Sequence, residues 1–222
     1  TFGSSNSETE VYMGSVAAKT STTNCLLKRE LEVLGGSFLG GISGGVDYGV
    51  EAETEILKMR IKGGTVNQYV YGSGQYSAAF GSRKTIITGG NFNCWIAGGC
   101  YGKNEGGGVT DGDTYLYFGG KANQTSTGGI FGAGYGDYAT DDGYYTVNKS
   151  FVVVADEAQI AGNVFGGGNN GYCTDDTEVW VLGGGKNTLA VSGSVFGGAN
   201  KARSEGETTV TMKNGTVSGS LY

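Results

Sequence analysis

Acidic side chains stand close together at Asp111-Gly112-Asp113, Asp141-Asp142, Asp156-Glu157 and Asp175-Asp176, each in or near a glycine-rich stretch. Paired carboxylates are the equipment of glycan hydrolysis, or of calcium ligation by oxygen. The same pairs are also ordinary turn residues that solubilise loops, and nothing accompanies them to favour chemistry. The sequence has no histidine, which removes the commonest general base and most catalytic triads. Its arginines, Arg29, Arg60, Arg83 and Arg203, sit in no evident motif.

The other reactive types are no better equipped. Cys25, Cys94, Cys100 and Cys173 form no C-x-x-C pair and have no histidine to join them, so no zinc site is expected. Four cysteines allow disulfides in three connectivities, or four buried free thiols, and the sequence does not choose between these. Gly106-Gly107-Gly108 follows Glu105 and precedes no helix, so it reads as a corner or loop tip rather than a phosphate cradle. Of the 14 tyrosines, Tyr135, Tyr138, Tyr144 and Tyr145 cluster. On an exposed face they would stack on sugar rings or a neighbouring rod, but tyrosine is also simply a good strand former, which is the preferred reading. Sequons occur at Asn123, Asn148 and Asn214. Thr208, Thr209 and Thr211 hint at an ice-binding threonine ladder that no other segment continues. The expectation is therefore no catalytic, cofactor-binding or metal-binding residue.

What must position these residues is an unusual chain. Of 222 residues, 45 are glycine and none is proline, without the Gly-X-Y period of collagen. Apolar runs such as Phe151-Val152-Val153-Val154 and Val179-Trp180-Val181-Leu182 argue against disorder. A net charge of -6 argues against nucleic acid or anionic membrane as a partner, and no apolar run is long enough to span a bilayer. With no initiator methionine and no signal peptide, the chain is expected to be processed or a fragment.

A repeat organises it. Phe2, Leu39, Tyr71, Ala97, Phe131, Phe165, Phe196 and Tyr222 serve as anchors, at intervals of 37, 32, 26, 34, 34, 31 and 26, and glycine follows each of the first seven. The residue before the last seven anchors is always apolar: Phe38, Val70, Ile96, Ile130, Val164, Val195 and Leu221. Five residues before them stand Leu34, Val66, Phe92, Ser126, Ile160, Val191 and Val217, with only Ser126 polar. Glycine recurs three residues before the anchor at Gly36, Gly128, Gly162, Gly193 and Gly219. A second β-rich run lies upstream of the anchor, as in Glu10–Met13, Thr85–Thr88, Thr114–Phe118, Glu178–Val181 and Thr209–Met212.

Short strands separated by glycine corners cannot bury an apolar side alone, but stacked coils can. The expected fold is all-β, a single parallel β-helix (β-solenoid) over residues 1–222, of about seven coils of roughly 31 residues. At about 4.8 Å per coil it would be about 34 Å long. Val164, Val195 and Leu221 should stack in one inward ladder, and Ile160, Val191 and Val217 in another. A propeller is disfavoured by the shorter, variable period, and a calcium roll by the lack of a nonapeptide repeat.

The segments Val164-Phe165-Gly166-Gly167-Gly168-Asn169 and Val195-Phe196-Gly197-Gly198-Ala199-Asn200 resemble the glycine-rich repeats of large bacterial surface proteins, β-helical adhesins of the pectate-lyase-like superfold. Leu39-Gly40-Gly41-Ile42 and Ala97-Gly98-Gly99-Cys100 are degenerate forms of that motif. The resemblance implies a right-handed coil. It covers nearly the whole chain and is specific for architecture rather than activity. Lyases of the superfold also use a basic residue, for which no motif is evident here. The resulting expectation is an extracellular or cell-surface structural or adhesive solenoid, not an enzyme. Its expected partners are copies of itself end to end or flanking repeats of the same rod, with glycans as a further candidate. A carbohydrate-active or carbohydrate-binding β-helix is the alternative. Thr1–Asn6 carries the anchor Phe2 and the glycine half of the motif, matching Phe165–Asn169, and Tyr222 is an anchor. The ends are thus nearly in phase, and the rod is expected to continue beyond them or to stack end to end with copies of itself.

Overall fold

The computed structural model describes residues 11–12, 29–45, 49–50, 56–102, 109–136, 147–184 and 189–222. The chain is all-β. No helix occurs among the described residues, and the strand pairings run parallel from each coil to the next. A seven-stranded anchor sheet runs from Val11–Tyr12 through Ile42–Ser43, Tyr69–Tyr71, Trp95–Ala97, Ile130–Phe131 and Val164–Phe165 to Val195–Phe196. A twelve-stranded sheet carries the upstream runs, among them Arg29–Val33, Ile56–Ile61, Ser82–Phe92, Thr114–Gln124, Ser150–Asp156, Thr177–Gly183 and Thr208–Asn214. Gly49–Val50, Ser77–Phe80 and Val109–Asp111 form a third, three-stranded sheet.

The pleat explains the burial. Along Ser82–Phe92 the side chains of Arg83, Thr85 and Ile87 are buried while Lys84 and Thr88 are exposed. Parallel register then stacks like on like. Ile61, Ile87, Phe118, Val154 and Val181 form one fully buried inward column. Ile42, Val70, Ile96, Ile130, Val164 and Val195 form another on the anchor sheet. Each buried aliphatic side chain contributes about 1.5–3 kcal/mol. Val164, Val195 and Leu221 are in register, as are Ile160, Val191 and Val217. In the final coil the rungs are less covered: Val217 is half-buried against the core and Leu221 is 45% exposed.

Backbones approach most closely just after the anchor. A Cβ on Gly44, Gly72, Gly98, Gly132 or Gly166 would lie 2.3, 2.0, 2.3, 2.2 and 2.1 Å from the carbonyl oxygen of the next coil's glycine, respectively. Only glycine lets the coils stack at ladder distance there. That is the physical content of the glycine after these anchors.

Two parts of the sequence alignment need correction. In the first full coil the anchor is Ser43, not Leu39. Ile42 pairs with Val70, Ser43 with Tyr71 and Phe38 with Val66, so the true offset is four residues. Leu34 and Leu39 are exposed, and Gly36 (φ +114°) matches the corner glycines Gly64 (+105°) and Gly90 (+109°) that follow the long strands. Val11–Tyr12 pairs with Ile42–Ser43, which makes that run an anchor strand rather than an upstream strand. Phe2 lies outside the described residues. Further along, the residue stacked between Phe92 and Ile160 is Gln124, not Ser126, because this coil carries two extra residues before its anchor. Gln124 is buried yet satisfied: its Nε2 donates to the carbonyls of Cys94 (3.2 Å) and Gly129 (3.0 Å).

Candidate functional site

Where the long strands begin, the register aligns polar residues from successive coils. Arg83, Thr114, Ser150 and Thr177 stack inward, so the residues before them (Ser82, Asp113, Lys149 and Asp176) form a row on the outer rim. The residues after them place Lys84, Tyr115, Phe151 and Glu178 in an outward row beside it. Between the rows runs an open groove of about 490 Å³. Asp113 and Asp176 come from two separate acidic pairs of the sequence, and here they share one site. Lys149, Tyr115, Phe151, Glu178 and the buried Arg83 complete it. None of these stood out in the sequence, because 27 to 36 residues separate neighbouring members of a row and only coil alignment brings them together.

The electrostatics are those of a surface ladder. Lys149 Nζ lies 3.0 Å from Asp176 Oδ2 and 3.6 Å from Asp175 Oδ2, while its backbone N–H donates to Asp113 Oδ1 at 3.2 Å. The Lys149 hydrogen bond, seconded by the Glu207 backbone N–H, holds the Asp176 carboxyl below the usual carboxylate range. The same carboxylates push the Lys149 ammonium up. A general acid for glycoside cleavage needs the opposite, a carboxyl kept protonated near neutrality. Asp113 and Asp176 are two coil steps apart, about 10 Å between their main chains, with the Lys149 row position between them. The arrangement holds a fixed pattern of charge well and is poorly set up to move a proton.

The other acids are elsewhere. Asp111 is exposed and outside the groove. Asp156, at φ 59°, closes a corner by accepting from the Tyr117 hydroxyl and the Gly120 N–H. Asp141, Asp142 and Gly106–Gly108 lie outside the described residues, as do Tyr138, Tyr144, Tyr145 and Cys25. Cys94, Cys100 and Cys173 are buried, and burial pushes the thiols of Cys94 and Cys173 up to about 12. Arg83 donates from Nε to Ser73 Oγ (3.0 Å) and from a guanidinium nitrogen to the Phe80 carbonyl (3.0 Å), tying the third sheet to the core.

Aromatic rings are spent on one another. Phe131–Phe165, Phe165–Phe196 and Phe196–Tyr222 stack at 5.1, 4.8 and 4.9 Å with their planes within 7°. Where the anchor is only Ala97, Trp95 fills in, stacked on Tyr135 at 4.9 Å and donating from Nε1 to the Tyr71 hydroxyl at 2.8 Å. In the groove, Tyr115 and Phe151 stack at 5.4 Å and Lys84 Nζ lies 4.6 Å over the Tyr115 ring. Sugar binding on a ring needs a free face, and coil-to-coil stacking uses these faces. The outward partners of Thr209 and Thr211 are Glu178 and Trp180, so no threonine ladder forms. Of the sequons, Asn214 is exposed, while Asn123 is half-buried and donates to Asn91 Oδ1.

No protein-family model matches the chain, and comparisons with curated proteins and with solved structures find no match either.

Proposed function

We propose that the chain is an extracellular structural or adhesive β-solenoid, part of a surface adhesin or self-assembling fibre. The observation that carries this reading is the unbroken stacking of like side chains from coil to coil, aliphatic through Ile42, Val70, Ile96, Ile130, Val164 and Val195 and aromatic through Phe131, Phe165 and Phe196. Leu221 and Tyr222 are in register with the apolar and aromatic columns below them, yet they are 45% and 70% exposed. Met212, in line with Val181, is 39% exposed. An apolar parallel edge of this kind is a template for one more coil. Self-assembly would proceed by a second copy stacking on that edge. The use of ring faces for stacking and the carboxylate tied up by Lys149 support the same reading. So does the resemblance of the Val-Phe-Gly-Gly motifs to bacterial surface repeats.

Electron microscopy of the purified chain over a range of concentrations tests self-assembly. Filaments are expected, shortened or abolished in Tyr222→Glu, whose added charge sits on the end face. A monomer at every concentration, with no effect of Tyr222→Glu, counts against assembly through this face. The groove favours the alternative, a carbohydrate-binding or carbohydrate-cleaving β-helix. Cleavage of acidic or neutral polysaccharide that is lost in Asp113→Asn or Asp176→Asn would establish that alternative.

A further inference from the structure

We propose that Asn214–Gly215 is a self-modifying site, at which the folded chain converts its own asparagine amide into aspartate and isoaspartate with water as the only co-reactant. The sequence of the long strand ends in an Asn-Gly corner, and the pairing register with the preceding coil shifts there, between Val181 and Leu182. The Gly215 N–H is turned away from the ladder and donates instead to Asn214 Oδ1 at 3.0 Å. That bond keeps the Gly215 nitrogen beside the Asn214 side-chain amide, whose carbon it must reach to react. Gly215 has no side chain to block the approach, and its φ of +107° is one that glycine accepts without strain. Asn214 is exposed, so base and water reach it. Corners at this level face solvent in other coils too, as at Lys62 and Thr88.

The step balances within the chain and solvent. Gly215 N loses its proton to solvent base and bonds to Asn214 Cγ. The Cγ–Nδ2 bond breaks, and the NH2 group leaves as ammonia after taking one proton from water. Water then opens the cyclic imide at one carbonyl to give aspartate, or at the other to give isoaspartate. The second product inserts a methylene into the main chain just before Thr216–Val217, whose register with Ala190–Val191 completes the last coil.

The fold supplies its own control. Asn170–Gly171 has the same two residues, but Asn170 is 4% exposed and its Nδ2 donates to the Gly136 carbonyl at 2.7 Å, whereas the Asn214 Nδ2 donates to the Gly184 carbonyl at a longer 3.3 Å on the exposed surface. Local opening must precede reaction there. The test is peptide mapping by mass spectrometry of the whole chain aged in mildly alkaline buffer, folded and in denaturant. In the folded chain, Asn214 should show the NH2-to-OH mass change at least about tenfold faster than Asn170, since burial charges the latter an opening step. In denaturant the two rates should converge. Asn214→Gln, with a longer side chain, should suppress the change at that peptide only. Equal rates in the folded chain, or an Asn214 that reacts unfolded but not folded, would overturn the proposal.

Discussion

Gly166→Ala puts the stacking geometry to a quantitative test. A Cβ built on Gly166 lies 2.1 Å from the Gly197 carbonyl oxygen and 3.2 Å from Val179 Cγ2, against 3.4 Å or more for ordinary contact. The close atom is backbone, held in a ladder, so no flexible side chain can yield. Relief requires the adjacent coils to part by more than 1 Å at this point. That movement stretches the Gly166 N–H to Phe196 carbonyl bond, now 2.9 Å, and loosens the Phe165–Phe196 stack. Overpacking costs about 1–3 kcal/mol, and a weakened buried hydrogen bond about 1 kcal/mol more. The expected destabilisation is therefore about 2–4 kcal/mol, a large share of the 5–15 kcal/mol typical of a domain. The control is Gly35→Ala, where an added Cβ meets nothing within 4 Å and φ is not positive. It should be neutral or stabilise by up to about 1 kcal/mol through the unfolded chain. Urea unfolding followed by circular dichroism, with unchanged m, measures both. A Gly166→Ala variant within about 1 kcal/mol of the parent, or a Gly35→Ala variant equally damaged, would refute the close-approach argument.

Further expectations follow from the same columns. Val195→Asp places an unpaired carboxylate among Val164 and Leu221 and should cost several kcal/mol in the same unfolding assay; a change below about 1 kcal/mol would mean the column is not dry. Thr177 Oγ1 donates to the Gly197 carbonyl at 2.6 Å, whereas the buried Thr85 hydroxyl has no partner. Thr177→Val should therefore destabilise by about 1–2 kcal/mol while Thr85→Val is neutral or stabilising, and the reverse order would contradict the geometry. The folded state keeps the protons of Cys94 and Cys173 up to about pH 12, whereas unfolded thiols lose them near about 8.5. These groups bind protons more tightly when folded, so their stabilisation is full below about pH 8 and is lost as pH rises towards 12. Unfolding free energies measured across that range should fall, with Tyr71, also raised by burial, adding to the loss above about pH 10. A flat profile would count against buried neutral thiols.

Much of this fold was legible in the sequence because the coil repeats a local rule: an apolar residue, an anchor and then a glycine. The rule located the columns through Val164, Val195 and Leu221 and through Ile160, Val191 and Val217, where every coil obeys it. It misplaced the first full coil because Leu34-Gly35-Gly36-Ser37-Phe38-Leu39-Gly40 satisfies the same local pattern four residues early. Only the hydrogen-bonded partner in the next coil, Ser43 against Tyr71, settles that choice. Gln124 was hidden for a related reason, since two extra residues in one coil shift the count while leaving the ladder intact. Arg83 reads as a surface residue by type, although its alternation with Thr85 and Ile87 already placed it inside. The groove was the least legible feature. Its acids were visible in pairs along the chain, but the site takes one member of each pair, and Lys149 joins them only across coils.

Fibre diffraction from oriented samples of the concentrated chain tests the central proposal most directly. Assembly by coil stacking predicts a reflection at about 4.8 Å along the fibre axis, because every strand then lies across that axis. A 4.8 Å spacing perpendicular to the axis, or no ordered assembly at any concentration, would contradict it.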